Sequence, residues 1–376
     1  MWAKVRKSCP TLVRGQLEDH MKTPQRFLIT RLSAFGDCVQ TLPLLCALRD
    51  ARPDAHITWM TQTEFAPVLR RHSDVDHVIS VSRRWFLSPA EFWQVSRQLR
   101  AMNFDVVLDP QSLTKSSIGG FLSSARRRIG IDRPAGREFS RHLNNELVRD
   151  RTHVIHRYLE LLRPLGIDQS RINFRFPVLP LSSRLIDFFC SAGDAGNFVV
   201  LNPNAGWPSK TWPAEQVADT AEALYSLFKL RSVVIWHGAK ERQVAEHVAA
   251  CHSSVLVAPP TDMNELAALI RASRLFVGTD SGPLHLAAAN GTPCVGLFGP
   301  TRSEICGPIS STSVCIQAPL QTTRKRNAPN TAMQSIDTNR VVDACSKLLS
   351  NDGHNVSPSG PFRPGVRLDE QSVRAA

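Results

Sequence analysis

The segment Arg274–Pro300, RLFVGTDSGPLHLAAANGTPCVGLFGP, constrains the fold more than any other. Its two apolar β runs, Leu275–Val277 and Cys294–Phe298, are closed by Gly278 and by Gly299-Pro300. Between them Pro283 suits the first turn of a helix, Ser281 or Gly282 its cap and Gly291 its end. This is a compact parallel β-α-β unit, the building block of doubly wound α/β sheets. Such sheets bind ligands at the carboxyl ends of their strands, where this loop carries Thr279, Asp280, Ser281, Gly282 and, one helical turn later, His285. Free N–H groups at a helix start favour an anion, most naturally a phosphate, although capping alone would also account for Asp280 and Ser281.

The same alternation runs through the rest of the chain. Arg26–Thr30 reads as the first strand, and a helix over about Val39–Asp50 follows, with Asp37 at its start as either a cap or a cleft-facing carboxylate. Strands are expected at His56–Met60, His77–Val81 and Phe104–Leu108, with helices near Glu64–Arg70, Ala90–Met102 and up to Ser124. Gln111 and Lys115 fall at the carboxyl end of the third of these strands, where a phosphorylated or polyhydroxylated substrate could meet them. Asp74 and Asp76 have a DxD spacing, but they precede a strand rather than follow one, which favours a turn over a metal site. Between residues 126 and 151, eight Lys and Arg face four Asp and Glu; Arg126, Arg127, Arg128, Arg133, Arg137 and Arg141 form either a functional patch or a solvated face.

A helix over His153–Leu165 ends at Gly166, and a Pro-, Ser- and Gly-rich stretch with one short helix, Ser183–Ser191, links to a second half. That half also opens with a strand, Phe198–Asn202, followed by a long loop with Lys210 and Thr211 and a helix over Ala214–Phe228. Lys210 is a candidate for neutralising a diphosphate, although the loop lacks the Walker spacing and a surface lysine between tryptophans would look the same. Strands Ser232–Trp236 and Val255–Val257 alternate with helices to about Ala250 and over Thr261–Ala272, the latter with an Asp262–Glu265 capping pattern. A strand near Val314–Gln317 and a helix near Thr338–Ser350 complete the pattern.

The expected organisation is therefore a basic extension over 1–24, Rossmann-like halves over 25–180 and 181–350 facing across a cleft, and a disordered tail over 351–376. A formal charge of +12 favours an anionic partner, whether nucleic acid, phospholipid surface or phosphorylated substrate. No aromatic-plus-basic stripe or groove-reading helix supports nucleic acid. No apolar run approaches a membrane span and the N-terminus lacks a secretory apolar segment, so a cytoplasmic protein, peripheral to a membrane at most, is expected. The nine cysteines are scattered without a CxxC pair, as reduced and mostly buried thiols are.

Four segments, RLSAFGDCVQTLPLLCALRDARPDAHITWM, DVVLDPQSLTKSS, LNPNAGWPSKTWP and VGTDSGPLHLAAANGTPCVGLFGP, resemble in order the signature regions of the ADP-heptose:lipopolysaccharide heptosyltransferase family, over about residues 26–305. The resemblance implies a GT-B architecture and an inverting transfer without metal or other cofactor. ADP-heptose would be the donor and the lipopolysaccharide inner core the acceptor. It implies Asp37 as catalytic base, Lys210 and Thr211 gripping the donor diphosphate, and Asp280, Ser281, Gly282 and His285 in the donor-sugar and phosphate loop. Ser112 departs from the family pattern where glycine is expected, and no cysteine stands between Cys315 and Cys345. An anionic acceptor in a membrane leaflet would give the basic surface a use, as attachment to the cytoplasmic face of the inner membrane. Two rival readings are a related enzyme moving another nucleotide-diphosphate sugar and a non-catalytic relative that binds anionic lipid.

Overall fold

The computed structural model describes residues 25–132, 139–168, 171–192, 197–320 and 325–351. The basic extension, Arg133 and Arg137 of the arginine run and the C-terminal tail lie outside the described residues.

Two six-stranded parallel sheets carry the fold. The first comprises β1 (Arg26–Thr30), β2 (His56–Gln62), β3 (His77–Val81), β4 (Val106–Asp109), β5 (Arg127–Asp132) and β6 (Glu146–Arg149), in the order β3-β2-β1-β4-β5-β6. The second comprises β7 (Phe198–Asn202), β8 (Arg231–Val234), β9 (Val255–Val257), β10 (Leu275–Thr279), β11 (Cys294–Phe298) and β12 (Ser313–Gln317), in the order β12-β11-β10-β7-β8-β9. Read from its other edge, the second order is the first repeated: third, second, first, fourth, fifth, sixth. In each half the first and fourth strands are therefore central neighbours, paired as Phe27↔Val106 in one and Val199↔Leu275 in the other. The order reverses between them, which opens a crevice at their carboxyl ends. Central strands are covered on both faces, so their sequences are continuous apolar runs; every residue of β7, β10 and β11 is buried.

Helices cover both faces of each sheet. On one face of the first, Leu28, Met60 and Val107 pack under α3 (Pro89–Ala101) and α4 (Thr114–Leu122) through Val95, Leu99 and Leu122. On the other, Phe27, Ile29 and Leu108 pack against Val39 and Leu42 of α1 (Phe35–Ala51). That core continues into the second half through Leu284 and Leu286 of α11 (Gly282–Ala289), so one apolar cluster spans both halves.

The second half follows the expected elements closely. α7 (Ser183–Ser191), α8 (Ala214–Phe228) and β9 lie where predicted, and Asp262 and Glu265 exchange both capping bonds at the start of α10 (Met263–Ala272). The first half differs in three places. α1 begins at Phe35, ahead of the expected Val39, because the Asp37 carboxylate accepts the Ala34 N–H and tightens the first turn. The arginine run contains β5 and β6, and Arg127 forks onto Glu146 while Arg128 donates to Leu143 and Ala125 carbonyls. These two arginines work inside the fold. The expected helix over Glu64–Arg70 is a 3₁₀ turn, Thr63–Phe65, followed by the short α2 (Ala66–Leu69).

The DxD carboxylates hold the chain together locally. Asp76 accepts the Ile57 N–H at 2.6 Å and pairs with Arg49 at 2.6 Å, while Asp74 pairs with Arg175 at 2.7 Å. Cys46, His72 and Asp74 cluster closely, but His72 uses both nitrogens on backbone, accepting from Asp74 N at 3.2 Å and donating to the Phe174 carbonyl at 2.9 Å. Among the described residues no helix is long and apolar enough to cross a membrane.

Candidate functional site

The candidate residues sit on the loops that leave the central strands β1, β4, β7 and β10, around the two crevices. In the first half, Asp37 lies in the opening turn of α1 with its side chain 41% exposed, and its Oδ2 is 2.8 Å from the Arg31 guanidinium. Arg31 is buried, donates to the Pro110 carbonyl at 3.1 Å and lies 5.1 Å over the Tyr158 ring. Burial opposes its charge, but the Asp37 carboxylate together with Tyr158 and Cys38 outweighs burial, so the guanidinium is held above its ordinary pKa. Arg31 thus fixes the Asp37 carboxylate from behind while one side of that carboxylate faces solvent. Arg31 opens the segment RLSAFGDCVQ, but the sequence alone gives no reason to pair it with Asp37 six residues on.

Gln111 and Lys115 come from the β4 loop. Gln111 is buried and accepts the Leu32 N–H at 2.9 Å, tying the β4 loop to the β1 loop. Lys115, in the first turn of α4, reaches the Ser33 hydroxyl at 2.8 Å. Ser112, the departure from glycine, adopts φ +46°, the left-handed region that favours glycine. Its hydroxyl offsets the strain by donating to Asp109 O at 2.7 Å and accepting Ile131 N–H at 2.8 Å.

In the second half, Lys210 and Asp280 meet, although 70 residues separate them. Lys210 Nζ donates to Asp280 Oδ2 at 2.8 Å and to its backbone carbonyl at 3.0 Å, and lies 4.9 Å over the Trp207 ring. His285 Nε2 stands 3.4 Å from Asp280 Oδ1. Burial alone would raise the Asp280 pKa; His285 and Lys210 outweigh it and hold the carboxyl well below the usual carboxylate range. Thr279 donates to the Asn204 carbonyl at 2.8 Å, and the Ser281 hydroxyl accepts from Asn202 at 2.9 Å. Those bonds pin the β10 loop to the β7 loop. Thr211 follows Lys210, and its carbonyl accepts from Asn330 at 2.9 Å.

The two halves touch where α1 and α11 begin. A Cβ added to Gly36 would stand 2.9 Å from His285 Cδ2 and 3.1 Å from Gly282 Cα, and one added to Gly282 would stand 2.7 Å from Phe35. Glycine at both positions is what lets the helix starts meet, and Asp37 is the next residue after the one that adjoins His285. Further along the seam Gln40 donates to the Cys306 carbonyl and His153 to that of Gly307, each at 2.9 Å. Beside it opens a cavity of about 270 Å³, lined by Ala34, Phe35, Asn204, Trp236, Glu241 and Met263 among others. Glu241 accepts the His237 N–H at 2.9 Å, and burial raises its carboxyl pKa. Trp236, Glu241 and Met263 are further additions that sequence reading lacked, because they come from separate elements whose only common signal is position at strand ends. A wider depression of about 680 Å³ lies at the amino ends of β1 and β2, around Arg26 and His56, where no candidate residue stands.

A paired α/β fold of this kind, with a polar cluster from each half at the shared cleft, defines the GT-B class of glycosyltransferases. Solved structures share it: the glycosyl transferase family 9 protein from Veillonella parvula DSM 2008 has a TM-score of 0.72 at 22% identity, covering 87% of this chain and 97% of that one. E. coli heptosyltransferase WaaC with ADP has a TM-score of 0.66 at 23% identity, covering 88% of this chain and 98% of that one. Residues 92–335 match glycosyltransferase family 9 (heptosyltransferase), and the chain belongs to that family. It is a glycosyltransferase. Lipopolysaccharide heptosyltransferase 1 of Escherichia coli K12 is 26% identical over 306 residues, 78% of this chain and 94% of its own length. The Pseudomonas aeruginosa PAO1 protein of the same name is 27% identical over 303 residues, 77% and 82%.

Proposed function

We propose that the chain transfers heptose from ADP-heptose to the inner core of lipopolysaccharide, with inversion and without a metal. The observation that carries this reading is the meeting at Gly36 and Gly282, which brings the first turn of α1, with Asp37, to the helix start whose His285 belongs to the Lys210–Asp280–His285 cluster. The names of the relatives support the sugar and the acceptor, and a WaaC structure with ADP-2-deoxy-2-fluoro heptose shares the fold at a TM-score of 0.68.

Asp37 takes the proton from an acceptor hydroxyl as that oxygen attacks the anomeric carbon; the new C–O bond forms while the bond to the diphosphate breaks and ADP leaves with the electron pair. Arg31 keeps the carboxylate aimed at the cleft. Lys210, with Thr211 and the open N–H groups at the start of α11, receives the charge that grows on the departing ADP, the part a metal would otherwise play. Asp280 orients Lys210, and Thr279, Ser281, Gly282 and His285 shape the donor loop. The nucleoside lies in the cavity by Trp236, Glu241 and Met263. On the acceptor side Lys115 meets anionic groups, and Gln111 acts by holding the two loops together. In this reading residues 25–180 form the acceptor half and 181–350 the donor half, and the protein works attached to the cytoplasmic face of the inner membrane.

The test is ADP release from ADP-heptose with a truncated lipopolysaccharide acceptor, comparing the parent with Asp37→Ala. Acceptor-dependent release that falls by about 10²–10⁴-fold in the variant while ADP binding persists is expected. Tighter binding of a UDP- or GDP-sugar than of ADP-heptose would move the reading to a sister enzyme with another donor.

A further inference from the structure

Among the described residues, five of the nine exposed large apolar side chains fall between residues 87 and 147, and they sort by position on the first half. Leu87 (65% exposed) ends the 3₁₀ turn Trp85–Leu87 after β3, and Trp93 (73%) lies near the start of α3. Phe139 (72%) donates its backbone N–H to Thr114, the first residue of α4, at 3.1 Å. In a parallel sheet the helices that follow β3 and β4 start at the carboxyl ends of the strands, the edge on which the cleft opens. All three residues therefore lie toward the cleft edge, and Phe139 bonds the residue that precedes Lys115. Apolar burial does not explain them, because the core on this face is already filled by Trp85, Val95, Leu99 and Leu122.

Charge on the same face is predominantly positive, four arginines against one glutamate. Arg83, Arg84, Arg97 and Arg100 are exposed around Leu87 and Trp93, whereas Glu91, the acid among them, is used by Ser82, which donates from its hydroxyl at 2.6 Å. Among the described residues these four arginines make no ion pair. Arg127 and Arg128 of the neighbouring run are bound within the fold, so the face of α3 has the freer charge.

We propose that Leu87, Trp93 and Phe139, with Arg83 and Arg84 beside Leu87 and with Arg97 and Arg100 one and two turns along α3 from Trp93, form the surface by which this protein seats on an anionic lipid bilayer. An apolar patch rimmed by cations fits the interface of such a membrane, with the rings at headgroup level and the guanidinium groups among the phosphates. The proposal deepens the peripheral attachment suggested above and rests on it for its purpose: an amphiphilic acceptor held in the bilayer meets the cleft beside Lys115.

Co-sedimentation of the full chain with vesicles of phosphatidylglycerol and phosphatidylethanolamine, against vesicles of phosphatidylcholine, tests it, with ADP release on a soluble delipidated acceptor measured in parallel. The parent is expected on the anionic vesicles only. R97Q/R100Q is expected to lower partitioning about 30-fold, at about fivefold per arginine, and L87S/W93S/F139S by about tenfold or more. Turnover of the soluble acceptor stays at the parent value in both. Parent-like partitioning of either variant overturns the proposal, as does equal binding of the parent to phosphatidylcholine. Absence of turnover in the parent would defeat the assigned reaction while the vesicle measurement still decided this surface.

Discussion

Gly36→Ala is the perturbation whose effect the structure specifies most closely. The new methyl would stand 2.9 Å from His285 Cδ2 and 3.1 Å from Gly282 Cα, against about 3.5–4.0 Å for a relaxed carbon contact. Neither neighbour can turn aside: Gly282 Cα is backbone, and His285 is held against Asp280. The starts of α1 and α11 must therefore separate by roughly 0.5–1 Å, a strain of about 1–3 kcal/mol. That displacement falls on Asp37, the next residue, and a misplacement near 1 Å in a group-transfer site costs about 10²-fold. Acceptor-dependent ADP release is expected to fall by roughly 10–10²-fold, while ADP affinity, measured by calorimetry, changes far less. Gly291→Ala is the control. Gly291 has φ +75° with nothing near a Cβ, so alanine there costs about 1 kcal/mol of strain and leaves turnover unchanged. Parent-like turnover of Gly36→Ala would refute the argument that this contact sets the reacting geometry.

Other consequences concern the donor cluster. Lys210→Ala strands the Asp280 carboxylate, which is only 8% exposed, and is expected to cost about 3–5 kcal/mol in urea unfolding and to abolish ADP binding. The pH dependence follows from Asp280, whose folded pKa lies far below its unfolded value. Its stabilisation is fully present above the ordinary carboxylate range near about 4 and is lost as pH falls through the depressed value, so the urea stability gap between parent and Asp280→Asn narrows below about 4. Met263→Ala removes part of the cavity wall and is expected to weaken ADP binding about 5–30-fold by calorimetry, with the fold intact.

The sequence showed the donor side more fully than the rest, and burial is the reason. β7, β10 and β11 are covered on both faces, so they appear as unbroken apolar runs that end at Lys210's loop, at Asp280 and at Gly299. β5 and β6 lie at the sheet's outer side, where RRIGID and ELVR mix half-buried charges with few apolar positions, and their arginines read as surface. The contact between Gly36 and Gly282 was invisible for a different reason: it depends on atoms that are missing from both residues. The cavity by Trp236, Glu241 and Met263 draws on ends of several elements, each unremarkable alone. Asp74 and Asp76 were read as a turn rather than a metal site, and Arg175 and Arg49 now account for their charge.

The repeated strand order bears on how such an enzyme could be recombined. Each sheet is entered at its middle, and Asp37, Lys115, Lys210 and Asp280 follow its first and fourth strands, while the ends of β8 and β9 add Trp236, Glu241 and Met263 to the cavity. On the proposed reading, acceptor preference and donor preference are written in separate, contiguous stretches of the chain. A hybrid that joins residues 25–168 to the second half of a relative would exchange one preference without the other, provided the relative keeps glycine opposite Gly36 and backbone carbonyls opposite Gln40 and His153.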